Sequence, residues 1–285
     1  MGWDIQLVSE YKNPRAKVAI YVGVVFFTFL VLLPLYILFI IAFGSPSQTV
    51  AAYYPALFPT KFTLANFFDA FAGYGKILEA AFFKSLETAF IVATIAILLG
   101  FHAAFGLSKL SFKLGSIIIA LLFFSTMIPS ITIAIPISAT FLKLGLYDSS
   151  LGLAFAQELI VLPLTVFLIM GSLESVPKQL ENQARVDGAS FMQALYTVIF
   201  PLAVPGVISA FLLSWLMSWD EFTFAVILSP VHPTLPVLIY LDSTARGNIL
   251  TAASFSLLVT IPVIVLTIIL SKFIKGNYLT AGITG

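Results

Sequence analysis

Residues 18–43 read VAIYVGVVFFTFLVLLPLYILFIIAF and contain no Asp, Glu, Lys or Arg. A helix needs about 20 apolar residues to cross the ~30 Å hydrocarbon core of a bilayer, so this run predicts a transmembrane helix. Lys12, Arg15 and Lys17 precede the run. Because the apolar stretch is longer than the roughly 7–15 residues of a signal-peptide core, we expect it to remain in place as a membrane anchor.

The composition of the whole chain agrees with a membrane protein. The 285 residues are 60% hydrophobic and only 9% charged, and the mean hydropathy is +1.07. A soluble domain carries about 25% charged residues, so this chain has too little polar surface to cover a globular core in water. The net charge of +1 argues against nucleic acid as a partner.

The residue types needed for common catalytic and metal sites are scarce. The chain has no cysteine, which excludes disulfides, a thiolate nucleophile and a Cys-based metal site. His102 and His232 are the two histidines and lie far apart in the sequence. We therefore expect no catalytic residue and no metal ligand in this chain.

Five further segments resemble the first run in length and apolar character. The six predicted spans are residues 18–43, 89–107, 114–141, 151–170, 204–219 and 251–273. Their apolar runs are continuous and do not alternate with period two, so the sequence predicts an all-α polytopic membrane protein with six transmembrane helices. The segment 45–84 is interrupted by Pro46, Pro55 and Pro59 and is placed outside the bilayer.

The distribution of Lys and Arg predicts the orientation, because cytoplasmic loops carry an excess of these residues. With the N-terminus in the cytosol, nine of the 14 basic residues lie inside: Lys12, Arg15, Lys17, Lys109, Lys113, Lys178, Arg185, Lys272 and Lys275. The chain then divides into a cytosolic segment 1–17, a six-helix domain 18–273 with its core at 85–273, and a cytosolic tail 274–285. Both termini and the loop 171–203 are expected on the cytosolic face of the cell (inner or plasma) membrane.

Prolines occur inside most of the predicted spans, at Pro34, Pro129, Pro136, Pro163 and Pro262. Each removes a backbone donor and tends to kink its helix. Two readings stay open for the third span, which carries both Pro129 and Pro136. The prolines either produce ordinary helix curvature or mark a span that lines a solute pathway.

The loop 171–203 has the pattern of two helices joined at a glycine. Ser175-Val176-Pro177 is typical of a helix start, and Gly188 is suited to the left-handed turn that ends one. A second helical stretch follows from Phe191, and Phe200-Pro201 is expected to end it before the fifth span. Such an element either stabilises the loop at the membrane surface or displays a helix to a cytosolic partner.

Residues 180–189, LENQARVDGA, and 198–201, VIFP, resemble the EAA motif of ABC importer permeases. That motif has an E-A-A triplet, a glycine four residues later and a terminal I-x-L-P. Ala184 closes the triplet and Gly188 is the glycine. Asn182 stands where the family usually has glutamate, and Glu181 lies one position early, so the salt bridge of the family's glutamate is not carried over.

Other segments resemble the carbohydrate-uptake (MalG-like) members of this family, and the resemblance covers residues 20–285. Residues 219–222, WDEF, are similar to the W-N-E-F signature after the fifth span. Residues 63–67, TLANF, and 144–149, LGLYDS, are similar to two external segments, and 279–285, LTAGITG, to the C-terminal ending. Lys84-Ser85 departs from the Asn-Ser that is common at that place.

The resemblance implies a type I ABC importer permease fold with a cytosolic coupling helix at about residues 177–187. It implies a second homologous permease, two cytosolic ATP-binding-cassette ATPase subunits and an extracellular solute-binding protein as partners. The chain has no G-x-x-x-x-G-K-[ST] motif, so ATP and Mg are expected on the ATPase subunits and no cofactor on this chain. The expected ATPase-coupling residues are Leu180, Glu181, Asn182, Ala184, Arg185, Asp187 and Gly188.

Individual roles follow from this assignment. Arg185 either contacts the ATPase or faces lipid headgroups. The carboxyl of Asp187 is expected to cap the following helix, and the tail 276–285 is expected to reach the ATPase dimer.

Polar side chains inside the fourth span suggest a substrate pathway. Glu158 lies there with Gln157, and a carboxylate at that depth costs roughly 2.5–3.5 kcal/mol on insertion scales. Glu158 is therefore expected to face the bundle interior, where it would accept hydrogen bonds from sugar hydroxyls while Trp215 and Trp219 stack on the ring. Alternatively, Glu158 pairs with a neighbouring subunit or lies near the outer interface.

The sequence thus predicts the permease subunit of an ABC importer that translocates a sugar delivered by a binding protein. Glycerol phosphate or a polyamine is the alternative substrate. A stand-alone secondary transporter is disfavoured because no inverted repeat is evident. A membrane-embedded enzyme is disfavoured because paired buried carboxylates are missing.

Overall fold

The structure is a computed structural model that describes residues 14–49, 57–58 and 60–275. These residues form helices α1 (Pro14–Phe43), α2 (Pro46–Thr49), α3 (Ala65–Ser108), α4 (Phe112–Thr126), α5 (Ser130–Leu144), α6 (Ser150–Glu174), α7 (Lys178–Val186), α8 (Phe191–Ala194), α9 (Phe200–Trp219), α10 (Thr223–Leu228), α11 (Leu235–Thr244) and α12 (Ile249–Lys275), with a π-helical turn at Leu195–Ile199. In this described part, the only pairing of extended backbone is an isolated bridge between Gly44 and Phe62.

The predicted membrane architecture is confirmed. Five segments of the described chain are long and apolar enough to cross a bilayer: Lys17–Phe43, Gly75–Ser108, Ser150–Glu174, Phe191–Trp219 and Ile249–Lys272. A sixth crossing is available from α4 and α5 together. Helices satisfy their own backbone hydrogen bonds, which is why a chain this apolar folds as a helical multi-pass protein.

The described chain divides into two compact units, the first built from residues 14–49, 57–58, 60–73 and 242–258 and the second from 74–241 and 259–275. In the first unit, Asn66 explains the 63–67 motif. Its side-chain amide donates to the carbonyl oxygens of Ala42 at 2.9 Å and Gly44 at 3.1 Å. Because these carbonyls lie at the end of α1, the motif fixes the connection from α1 to α3.

In the second unit, α6 and α9 pack closely along their lengths. Ser214 and Thr165 join them through a hydrogen bond of 2.7 Å between their hydroxyls. Near the C-terminal end of α6, a Cβ added to Gly206 of α9 would overlap the side chain of Ser172. Glycine is therefore required there, as expected where transmembrane helices approach closely through small residues.

The third span, predicted over 114–141 with Pro129 and Pro136 as positions that tend to kink it, consists of two helices in the structure. α4 and α5 meet at an angle of 81° across residues 127–129. Pro129 precedes the first residue of α5. Proline has no backbone N–H and disfavours the helical conformation in the residue before it, so the helix breaks here. Pro136, by contrast, lies inside α5.

Two other expected boundaries were wrong. The second span begins earlier than residue 89, because α3 runs unbroken from Ala65 and its apolar window starts at Gly75. Phe200-Pro201 does not end a helix, because the π-helical turn leads directly into α9 with Pro201 in its first turn. Proline is tolerated in a first turn, where its missing donor is not needed. Pro55, Pro59 and the tail 276–285 lie outside the described residues.

Candidate coupling surface and intramembrane polar site

A helix, α7, lies where the coupling helix is predicted, flanked by Pro177 and Asp187. None of its residues is buried. Glu181 and Ala184 are partly covered, whereas Leu180, Asn182 and Arg185 are exposed. Val186 is 86% exposed. α7 therefore exposes the apolar side chains of Leu180 and Val186 together with polar ones.

Gly188 and Ser190 define the turn after α7. Gly188 has φ +95°, a conformation that L side chains rarely adopt. The N–H of Gln193 donates to Ser190 Oγ at 3.3 Å, and the N–H of Ser190 donates to Gln193 Oε1 at 2.8 Å. This capping box begins α8. The expected cap from Asp187 is therefore wrong, since Ser190 directly precedes the helix.

An ion pair attaches α7 to the C-terminal end of α3. Lys109 Nζ donates to Glu181 Oε2, and the same ammonium group lies 4.7 Å from the ring centre of Phe105. The ring of Phe105 in turn packs against Phe191, with centroids 5.1 Å apart. Glu181 therefore faces the chain's own helices, although it was grouped with the residues expected to contact a partner.

A second connection joins α3 to the π-helical turn. His102 Nε2 and the Tyr196 hydroxyl are 2.7 Å apart, and His102 Nδ1 is 2.6 Å from the carbonyl oxygen of Leu98. This arrangement accounts for His102 as a structural residue. Among the described residues, no group of three His, Asp or Glu side chains is placed to hold a metal ion.

The four residues predicted for the substrate pathway fall into two environments. Gln157 is buried and hydrogen-bonded at both polar atoms: its amide nitrogen donates to Glu221 Oε2 at 3.2 Å and its oxygen accepts from Ser218 Oγ at 2.5 Å. Trp219 is also satisfied, because its indole N–H donates to the carbonyl oxygen of Val259 at 3.3 Å. These two side chains hold helices together.

Glu158 and Trp215 are buried without a hydrogen-bond partner for their polar atoms. Glu158 is 8% exposed and Trp215 1% exposed. Within residues 14–49, 57–58 and 60–275, nothing hydrogen-bonds to either carboxylate oxygen of Glu158 or to Trp215 Nε1. The rings of Trp215 and Trp219 stack at 4.9 Å with an interplanar angle of 13°. In this conformation the indole faces are covered by neighbouring rings and not presented to a cavity.

Ser218 and Glu221 are functional-site neighbours that the sequence reasoning missed. Glu221 Oε1 accepts from the N–H of Phe224 at 2.8 Å and Oε2 from that of Ala225 at 3.2 Å. Burial raises the pKa of Glu221, and these hydrogen bonds only partly offset it. An acidic residue two positions before a short apolar helix was the available signal, because such residues satisfy free N–H groups of a first turn.

Asp148 joins the α5–α6 turn to the loop after α10. It has φ +59°, and its Oδ1 accepts from Ser229 Oγ at 2.9 Å and from the N–H of His232 at 3.1 Å. Lys84 Nζ donates to its carbonyl oxygen at 2.8 Å. Burial raises the pKa of Asp148, but the hydrogen bonds from His232 and Ser229 and the charge of Lys84 outweigh it and leave the pKa below its usual value.

Comparison with known proteins identifies the family. Residues 96–278 match the model of the binding-protein-dependent transport system inner membrane component. The chain belongs to this family. The matched residues include α7, Glu158, Trp215 and the network around Gln157, so both candidate regions lie in the part of the permease that defines the family.

Individual relatives cover most of the permease. It is 31% identical over 231 residues, 80% of each chain, to the "Sulfoquinovosyl glycerol transport system permease protein SmoH" of Agrobacterium fabrum. It is 29% identical over 237 residues, 80% of this chain and 85% of the relative, to the "Trehalose transport system permease protein SugB" of Mycobacterium tuberculosis.

A solved structure supports the fold assignment. A chain from the crystal structure of a bacterial ABC transporter involved in the import of the acidic polysaccharide alginate has a TM-score of 0.72 to the permease. The match covers 93% of the permease and 99% of that chain at 19% identity. The permease therefore has the ABC importer permease fold.

Proposed function

We propose that this permease translocates a sugar, delivered by an extracellular solute-binding protein, across the cell membrane with energy from ATP hydrolysed by partner subunits. Membership in a binding-protein-dependent transport family supports the delivery route. The names of the relatives, which refer to trehalose and to a sulfoquinovosyl glycerol, support a carbohydrate. Glycerol phosphate and a polyamine are the competing substrates.

The observation that carries the proposal is the exposed helix α7. It extends from the end of α6, has no buried residue and presents Val186 almost completely to solvent. Leu180 and Val186 supply apolar contacts for a cleft in an ATPase subunit, while Asn182, Arg185 and Asp187 supply polar contacts at its rim. Glu181 has a different role, because its ion pair with Lys109 holds α7 against α3.

The turn at Gly188 and the helix that follows are suited to transmit movement of α7. α8, the π-helical turn and α9 form one apolar segment, Phe191–Trp219, that crosses the bilayer. Movement of α7 would therefore act on a segment that contacts α6 at several places along its length. π-helical turns inside helices are frequent at functional sites.

The remaining partners complete the transporter. α1 is almost entirely exposed and is available to lipid and to a second homologous permease. Both termini lie in the cytosol in the proposed orientation, which places α7 there too. ATP and Mg bind to the two ATPase subunits, and the membrane chain itself performs no chemistry.

Substitution of Val186 tests the coupling role. Val186→Asp places a charge on an exposed position, so the fold should survive while the ATPase subunits no longer co-purify and ATP-dependent uptake of labelled trehalose is lost. Val231→Asp, at another exposed valine (72%), is the matched control for co-purification. Retention of the ATPase by Val186→Asp would refute the coupling role. Trehalose uptake by the purified chain alone in liposomes would identify a stand-alone transporter.

A further inference from the structure

Of the four residues predicted for the substrate pathway, two have hydrogen-bonded polar atoms and two do not. Gln157 and Trp219 use their polar atoms to bind other helices. Glu158 and Trp215 do not, within the described part of the chain. A buried carboxylate without donors is costly, and each such group in a native structure calls for a physical explanation.

Helix periodicity shows which surface Glu158 faces. Glu158, Thr165 and Ile169 share one side of α6, at i, i+7 and i+11. A Cβ added to Gly100 would lie 3.1 Å from Thr165 and 3.6 Å from Ile169, so this side of α6 packs against the Gly100 side of α3. That side of α3 consists of small residues at the same spacing: Ala89, Ala93, Ala96 and Gly100. None of their side chains offers a donor to the carboxylate.

Trp215 reaches α3 from the third helix of this contact. Its ring lies 6.0 Å from that of Phe90 on α3, and α9 is joined to α6 by the Thr165–Ser214 hydrogen bond. An unpaired acceptor on α6 and an unpaired donor on α9 therefore both lie at the contact of these helices with α3. We call the contact of α3 with α6 and α9 the α3 seam.

We propose that the α3 seam opens onto the solute pathway and that Glu158 and Trp215 Nε1 then bind hydroxyl groups of the solute. The carboxylate accepts from an O–H and the indole N–H donates to a hydroxyl oxygen, a combination that suits a polyhydroxy solute. The proposal rests on the sugar-importer function and deepens it by naming the solute contacts.

The closed seam explains why solute would favour opening. In the closed state the two polar groups are buried and unsatisfied, and in the open state hydroxyl groups satisfy them. A solute that interacts better with one of two conformations shifts the population towards it. The orphaned groups thus make the closed, empty state less stable and give the solute a differential interaction with the open state.

Transport kinetics test the contacts. With the transporter assembled from all its subunits, Glu158→Gln and Trp215→Phe should raise the KM for trehalose uptake by about tenfold, the loss of one hydrogen bond to a charged or buried group. Glu174→Gln, an exposed carboxylate at the end of the same helix, should leave KM unchanged. An unchanged KM in both site variants overturns the proposal, whereas failure of wild-type uptake of every sugar offered overturns the proposed function instead.

Thermal stability provides a readout that does not depend on transport. Glu158→Leu replaces the orphaned carboxylate with an apolar side chain of similar size, so the purified complex without solute should melt at a higher temperature than wild type. Adding trehalose should raise the Tm of the wild type but not of this variant. A lower Tm for Glu158→Leu would mean that the carboxylate has a structural partner in the assembled complex, and the proposal would be wrong.

Discussion

The two ends of α6 differ in whether the polar side chains near them are hydrogen-bonded within the chain or exposed. At its N-terminal end lie two hydrogen-bonded groups of polar residues, Asp148 with Ser229 and His232 and Gln157 with Ser218 and Glu221, which together we call the N-terminal network. At its C-terminal end, α7 presents both apolar and polar side chains outward. α6 has 25 residues and is about 37 Å long.

The difference shows where this permease is rigid and where it is incomplete. A fully satisfied polar network fixes one arrangement of the surrounding helices. An exposed amphipathic helix is stabilised further when another protein covers it. We therefore expect substitutions in the N-terminal network to reduce stability, and substitutions on α7 to leave stability intact while they reduce coupling.

Glu221 should give the largest effect on stability. Glu221→Ala removes the acceptor for the N–H groups of Phe224 and Ala225 and for the amide of Gln157. Leaving three buried donors unpaired should lower the free energy of unfolding by about 3 kcal/mol or more. Thermal unfolding of the purified protein in detergent measures this loss.

Two further variants serve as comparisons for Glu221→Ala. Glu221→Gln keeps an acceptor and should lose less than Glu221→Ala. Asp220→Ala removes the neighbouring exposed carboxylate and should change stability by no more than about 0.5 kcal/mol. Equal losses for Glu221→Ala and Asp220→Ala would show that the network does not fix the helices.

Asp148 should give the next largest effect, and the effect should depend on pH. Its pKa is lowered in the folded state from the usual 3.8. A group with a depressed folded pKa contributes stability above its unfolded pKa and loses it as pH falls through the folded pKa. Asp148→Asn should therefore be less stable than wild type near neutral pH, by about 2 kcal/mol.

The pH profile distinguishes the charge from the shape of this side chain. The stability difference between wild type and Asp148→Asn should shrink as pH falls below 3.8, because both side chains are then neutral. Asp69→Asn, at an exposed position, is the control. A difference that stays constant at all pH values would contradict a role for the ionised carboxylate.

The transmembrane helices and the turn at Gly188 could be predicted from the sequence, whereas the N-terminal network could not. Long apolar runs require helices in a bilayer, so the number of crossings followed from residues 18–43 and the similar runs. Gly188 was correctly assigned to a turn because few other residues adopt its φ. The N-terminal network was not predictable, since it joins Asp148 to Ser229 and Gln157 to Glu221 across gaps that no local pattern records.

The position of the break in the third span also could not be predicted from the local sequence. Pro129 and Pro136 are both prolines within one apolar run, yet only Pro129 breaks the helix, and Pro136 lies within α5. A proline removes the same donor at either position. The packing of the surrounding helices selects which of the two positions becomes the corner, and that packing is a property of the folded chain.

Gly188 should give a moderate effect on stability and a large one on coupling. Gly188→Val forces a β-branched residue into φ +95°, at a cost of about 1–2 kcal/mol. Because α7 must turn here, ATP-dependent uptake should fall far more than the Tm does. Gly171→Ala is the matched control: it lies inside α6 with open space around it. If both variants lose uptake equally, the turn has no special role.

The ion pair between Lys109 and Glu181 should give the smallest effect on stability, because Lys109 is 38% exposed and pairs of this kind contribute only about 0–1 kcal/mol. Its effect on coupling should be larger, since it is the ion pair that positions α7 against α3. Lys109→Glu and Glu181→Lys should each uncouple ATP hydrolysis from uptake, and the double exchange should restore coupling. ATPase activity of the assembled transporter, measured with and without solute, detects this rescue. An uncoupled double exchange would mean that Glu181 contacts the partner directly, and α7 would then depend on its partner, and not on α3, for its position.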